Sequence, residues 1–141
     1  MSTEMRGILV PGKRMAYALA GKSTITVRGK TTRFTYQIKK IANQEKWFVG
    51  LLNGPDNNCD YMYIGLGTMD KNATFTFRLT RNSRAGDDAQ SVIAFKWLVR
   101  HWESPLMEIW HEGACGRCGR KLTVPESIES GLGPTCAGYS L

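Results

Sequence analysis

The sequence predicts an α+β fold: an antiparallel β-meander sheet with one packed helix, followed by a small C-terminal module. Five short segments rich in β-branched and aromatic residues follow one another between residues 25 and 80, separated by turn residues. A longer segment, 89–103, is apolar over most of a helical circumference. Three of the four cysteines lie beyond it, within 115–136. We therefore place a basic α+β body at 1–104 and a separate module at 105–141.

The first three predicted strands lie between residues 25 and 52. Residues 25–28 form the first strand, and Gly29-Lys30 is its hairpin turn. In 32–39 every second residue is apolar, which places Phe34, Tyr36 and Ile38 on one face and polar or basic residues on the other. Residues 46–52 form the third strand, which ends at the polar loop 53–58.

The fourth and fifth strands are predicted at 61–67 and 74–80. The fifth alternates in the same way, with Phe75, Phe77 and Leu79 on one face and polar residues on the other. The sequon that starts at Asn72 is predicted to be part of a turn. Short strands at this even spacing favour a meander, in which each strand pairs antiparallel with the next.

One helix is predicted after the strands. Asp87 is its candidate N-cap, Gln90 stands three residues later as in a capping box, and Pro105 stops the helix. A helix so apolar must pack against the sheet face that carries Phe34, Tyr36, Phe75 and Phe77. The opposite sheet face is then solvated, and its predicted residues are Arg33, Thr35, Gln37, Lys39, Thr76 and Arg78.

Positive charge is concentrated at the N-terminus. The chain carries a net charge of +7, and residues 1–41 hold nine basic residues and one acid, which gives 9 − 1 = +8. Such clustering favours a polyanion or an acidic protein as partner. No apolar run approaches the ~20 residues of a membrane span, and the N-terminus lacks a signal-peptide pattern. We therefore expect a cytoplasmic protein with no membrane partner.

The cysteine spacing in the C-terminal module is that of a zinc site. Cys115 and Cys118 form a CxxC knuckle, and Cys136 follows after 17 residues, which is normal for a structural finger. The fourth ligand would be His111, His101, Cys59 or a carboxylate, and His111 is the one next to the knuckle. Free thiols or a redox CxxC are the alternatives. Four protein ligands would leave no position for water, so we expect one structural Zn²⁺ in a zinc module of treble-clef or ribbon type.

The segment 110–136, WHEGACGRCGRKLTVPESIESGLGPTC, also carries a resemblance. It closely resembles a C-terminal zinc-finger-like domain of unknown function that is found in many small proteins of bacteriophages and mobile elements. It follows the pattern HEGxCGRCGRxLTxPxSIxxGxGPxC without a break. The resemblance implies a phage-like source, a bacterial host cytoplasm, and zinc ligation by His111, Cys115, Cys118 and Cys136. It implies no activity.

No catalytic pattern accompanies these features, since Gly21-Lys22-Ser23 lacks the first glycine of a P-loop and no GxSxG occurs. We expect a non-enzymatic nucleic-acid-binding accessory protein of a phage or mobile element, with DNA or RNA as partner. Tyr36 and Tyr63 are expected in the core, but either would stack a base if it faced out beside the basic residues. The alternative is a phage-encoded, protein-binding inhibitor or modulator of a host system, such as an anti-defence protein. The candidate nucleic-acid-binding residues are Arg28, Lys30, Arg33, Lys39, Arg78, Arg117, Arg120 and Lys121.

Overall fold

The computed structural model of the protein describes residues 8–54 and 60–111. These residues form an α+β fold with two helices and one six-stranded antiparallel sheet. The predicted fold class is thus confirmed for the body, whereas the predicted zinc module lies outside the described residues from position 112 onward. In chain order the elements are α1 (Pro11–Ala18), β1 (Lys22–Arg28), β2 (Arg33–Lys40), β3 (Lys46–Leu52), β4 (Tyr61–Met69), β5 (Phe75–Arg78), α2 (Gln90–Arg100) and β6 (Glu108–His111).

The sheet has the strand order β5-β4-β3-β2-β1-β6, so β1 to β5 form the predicted meander. The turn between β4 and β5 contains Asn72, as predicted, and is closed by Asp70, whose Oδ1 accepts hydrogen bonds from the backbone N–H groups of Asn72 and Thr74. The sixth strand was not predicted. It returns after α2 and pairs antiparallel with β1, and Leu9 donates a backbone hydrogen bond of 2.9 Å to Ile109 on its far side.

One face of the sheet, the inner face, carries the core. Tyr36 of β2 and Phe77 of β5 each place their rings 4.8 Å from the ring of Phe95 on α2. The Tyr36 hydroxyl donates a hydrogen bond of 2.7 Å to the carbonyl of Ser91, and burial raises the pKa of Tyr36. The predicted packing of the apolar helix on this face is therefore confirmed.

The start of α2 differs from the prediction. The N-cap residue is Ala89, and no side chain caps the helix. Asp87 instead accepts a hydrogen bond of 2.7 Å from the ammonium group of Lys96, and both side chains are well exposed. The predicted capping box is wrong because the helix begins later: Asp87 lies two residues before the N-cap, too early to reach the first free N–H groups, and pairs with Lys96 instead.

The first helix was also not predicted, and it packs with α2 on the inner side of the sheet. Pro11 is its first residue, where the fixed φ of proline suits a helix and its missing N–H is not needed. Its buried residues are Arg14, Tyr17 and Ala18. The far end is tied to the sheet, since Ser23 donates a hydrogen bond of 2.8 Å to the carbonyl of Ala18. Within the described ranges no helix is long and apolar enough to cross a membrane.

Candidate nucleic-acid interface

The face of the sheet opposite the helices, here called the outer face, is strongly basic. The side chains of β-strands alternate between faces, so the buried positions of each strand identify the outward ones. Six outward residues of the described strands are cations and one is an acid, which gives 6 − 1 = +5. They are Lys22, Arg28, Arg33, Lys39, Lys46 and Arg78, with Glu108 as the acid.

The strand register aligns part of these residues in one line across the sheet. Lys22 lies opposite Lys39, Lys39 opposite Phe48, Phe48 opposite Leu66, and Leu66 opposite Arg78. This line, here called the central row, crosses β1 to β5. Three of its five side chains are cations, and its middle residue is a phenylalanine with 50% of its surface exposed.

Like charges stand directly opposite one another at both ends of the β1–β2 pair. Lys22 is the register partner of Lys39, and Arg28 is the register partner of Arg33. Like charges at directly opposed positions of an antiparallel pair are destabilising. Arg28 has the carboxylate of Glu108 beside it, whereas no described carboxylate offsets the repulsion between Lys22 and Lys39, which a bound polyanion would relieve.

Some basic residues of the body are already neutralised by neighbouring carboxylates, whereas the central row is not. Arg28 lies 4.0 Å from Glu108, and Lys40 lies 3.4 Å from Glu45. Among the described residues, no carboxylate lies within ion-pair distance of Lys22, Lys39 or Arg78. The cations of the outer face that lack such a carboxylate are therefore the three of the central row, together with Arg33 and Lys46.

The candidate residues of the body fall into two groups. Arg28 and Arg33 face outward at the end of the β1–β2 pair, with Lys30 exposed in the loop between them, while Lys39 and Arg78 belong to the central row. Two outward cations were missed, Lys22 and Lys46. The remaining candidates, Arg117, Arg120 and Lys121, lie outside the described residues.

Arg14, which contributes to the basic N-terminal segment, is not part of this surface. It is buried on α1, and its guanidinium group donates hydrogen bonds to the carbonyls of Trp102, Ser104 and Met107 at 2.8 to 3.0 Å. Burial lowers its pKa, and the carboxylates of Glu103 and Glu108 oppose that shift. Part of the N-terminal charge is therefore structural and does not add to the basic outer face.

Aromatic side chains also lie on the outer face. Tyr36 is fully buried, so it cannot stack a base. Tyr63, expected in the core, instead faces outward in register with Gly50 and is partly buried, and its hydroxyl lies 3.0 Å from Oγ1 of Thr80. Its ring packs edge-on against Phe48 at 5.9 Å. Trp110, partly buried, faces outward on β6 opposite Thr26. Phe48 was missed because three consecutive apolar residues, 47–49, conceal which of them faces out.

Of the predicted metal ligands only His111 lies within the described residues. It ends β6 opposite Ile25, is buried, and places its ring 5.4 Å from the ring of Tyr17. A ligand in this position would have its backbone fixed by the sheet. Cys115, Cys118, Cys136 and the alternative ligand Cys59 lie outside the described residues.

His101, another alternative ligand, was expected inside the helix. It is exposed at the C-cap of α2, with its ring 4.5 Å from that of Trp97, because the helix ends three residues earlier than predicted.

Comparison with known proteins reaches only the end of the chain. No curated protein and no solved structure matches it. The model of a family of unknown function, DUF6011, matches residues 110–140, which is 31 of the 141 residues. The match begins at Trp110, inside β6, and covers the segment whose resemblance to an uncharacterised domain was noted from the sequence.

Proposed function

We propose that the protein is a non-enzymatic nucleic-acid-binding accessory protein that binds the phosphate backbone with the outer face of its sheet. The observation that carries the proposal is the set of outward cations that have no carboxylate at ion-pair distance among the described residues, in which lysine lies opposite lysine between β1 and β2. Phosphate groups are the anions that such a set would neutralise, with release of the counterions that surround the nucleic acid.

The C-terminal module would supply one structural Zn²⁺ site in this proposal. His111, Cys115, Cys118 and Cys136 would hold the metal, and the basic residues beside the knuckle, Arg117, Arg120 and Lys121, would add phosphate contacts. Support comes from the ligand spacing, from the thiolate and imidazole donors that zinc prefers, and from the sheet that holds His111. The resemblance of the module supports a source in a phage or mobile element and a place of action in the cytoplasm of the bacterial host.

A second candidate function is inhibition or modulation of a host protein, for example as an anti-defence factor. Ile93 and Trp97 lie one turn apart on α2 and are 47% and 38% exposed, and Leu106 beyond the helix is 77% exposed. Exposed apolar side chains at such a spacing suit a protein partner. The two functions differ in their dependence on salt, because a mostly apolar interface releases few counterions.

The test is the salt dependence of binding to single- and double-stranded oligonucleotides, measured by fluorescence anisotropy. The triple variant Lys22→Gln, Lys39→Gln, Arg78→Gln removes the three cations of the central row. If each contacts one phosphate of a single strand, the slope of log K against log salt should fall by about 2 in magnitude. Binding should weaken for every sequence alike, because phosphate contacts carry no base information.

A matched control separates this site from the effect of net charge. The triple variant Lys13→Gln, Lys96→Gln, Arg100→Gln also lowers the net charge from +7 to +4, but its residues lie on the helices, on the other side of the sheet. It should bind nearly as the wild type does, since charges farther away than the Debye length of ~8 Å are screened. Equal losses in both triples would contradict the site, and no binding at low salt would favour the host-protein alternative.

A further inference from the structure

We infer that the outer face binds single-stranded nucleic acid and that Phe48 is a platform on which a base stacks. The inference rests on the proposed function and specifies its ligand. Nucleic-acid single strands are held by a combination of basic residues along the backbone and aromatic rings under the bases. The central row places both kinds of side chain in one line, with Lys39 directly beside Phe48 and Arg78 one strand beyond Leu66.

The surroundings of Phe48 leave its ring available. On one side Tyr63 supports it edge-on at 5.9 Å. Gly50, two residues along the same strand, has no side chain that could cover it. Half of the surface of Phe48 is exposed, whereas its chain neighbours Trp47 and Val49 point to the inner face and are buried. A large aromatic ring that is held in place but open to solvent, with a lysine directly beside it, is suited to accept the face of a base.

The width of the row argues against a duplex ligand. Five adjacent strands at the usual spacing of ~4.8 Å extend over about 19 Å between Lys22 and Arg78. The major groove of B-DNA is only about 12 Å wide and admits a helix or a two-stranded ribbon. Phe48 in the middle of the row therefore cannot reach the bases of a duplex, whose faces are already stacked. In a single strand the bases can turn out toward the sheet.

The charge of the face also argues against a second copy of the protein as occupant. Phe48 and Leu66 form an apolar centre that would suit self-association, but a symmetric dimer through this face would bring its six cations against the same six of the partner copy. Phosphate groups complement the cations around the apolar centre, so a single strand fits both features at once.

The experiment compares a single-stranded oligonucleotide with an abasic strand of the same length, which keeps the phosphates and lacks the bases. A duplex of the same length is the third probe. Binding is measured by fluorescence anisotropy for the wild type, for Phe48→Leu, and for the control Trp97→Leu. Phe48→Leu keeps an apolar side chain at an exposed position, so the fold should be retained. Trp97→Leu removes an exposed aromatic ring on α2, away from the outer face.

We expect the wild type to bind the normal strand about five- to a hundredfold more tightly than the abasic strand, which is the usual contribution of one stacked base. Phe48→Leu should lose most of this preference for the normal strand, while its affinity for the abasic strand should equal that of the wild type. Trp97→Leu should bind both strands as the wild type does. Equal affinity of the wild type for normal and abasic strands, tighter binding of the duplex, or no effect of Phe48→Leu would overturn the inference. The proposed phosphate binding would survive those results, whereas failure to bind any of the three probes would remove both.

Discussion

Arg14 shows how one buried cation can join parts of the chain that are far apart in sequence. Its guanidinium group satisfies three carbonyls in the segment 102–107, which leads from α2 to β6. Because α1 has only eight residues, its intrinsic stability in water is marginal, and tertiary contacts such as these must hold it. Arg14 therefore positions both the first helix and the edge strand β6.

Replacing Arg14 by Gln should destabilise the fold by about 1–3 kcal/mol, because it leaves buried carbonyls without donors. The neighbouring Lys13 is exposed, so Lys13→Gln is the control. It removes the same charge and should change the free energy of unfolding by only about ±0.5 kcal/mol. Urea unfolding followed by circular dichroism measures both values. If the two variants were equally stable, the hydrogen bonds of Arg14 would not contribute to the fold as described.

At the scale of the elements, two glycines of β4 explain how β5 packs against its neighbour. A Cβ atom at Gly65 would lie 2.6 Å from Cζ of Phe77, and one at Gly67 would lie 2.6 Å from Cε1 of Phe75. The two phenylalanine rings therefore lie directly over the β4 backbone. Phe75 is further fixed by Trp47, whose ring meets it edge-on at 5.5 Å.

Gly67→Ala should consequently destabilise the protein by about 1–3 kcal/mol, since the Phe75 ring would have to move within a packed core. The control is Gly12→Ala in α1, where an added methyl group meets no other atom within 4 Å. That change should be stabilising by about 0.5–1 kcal/mol because alanine has the higher helix propensity. Thermal unfolding of both variants measures the difference, and a Gly67→Ala protein as stable as the wild type would refute the close packing.

The elements that could be predicted are those whose pattern is local. Alternation in β2 and β5 identifies their inner and outer faces, and β3 has the predicted bounds. The short helix α1 has no side-chain cap, and the four residues of β6 pair with a strand some 80 residues earlier, so neither leaves a strong local pattern. The central row depends on register: nothing in the local sequence says that Lys39 lies beside Phe48.

At the scale of the molecule, the fold separates the two kinds of surface on the sheet. Both helices and the aromatic core lie on the inner side, and the basic residues of the strands lie on the outer side. The sheet of the described body includes β6, so it is completed by residues that follow α2. The domain boundary after residue 104 stays a prediction. His111 belongs both to this sheet and to the segment that resembles a zinc-finger-like domain.

The last prediction concerns that segment: the purified protein should carry one zinc per chain. The spacing of His111, Cys115, Cys118 and Cys136 suits a four-coordinate structural site. Removing one thiolate leaves only three of the four ligands that a tetrahedral structural site needs, so Cys118→Ser should lose the metal, whereas Cys59→Ser should retain it. Elemental analysis of undialysed protein measures both variants beside the wild type. Less than about half an equivalent of zinc in the wild type would exclude the structural site, because such sites bind tightly enough to persist through purification.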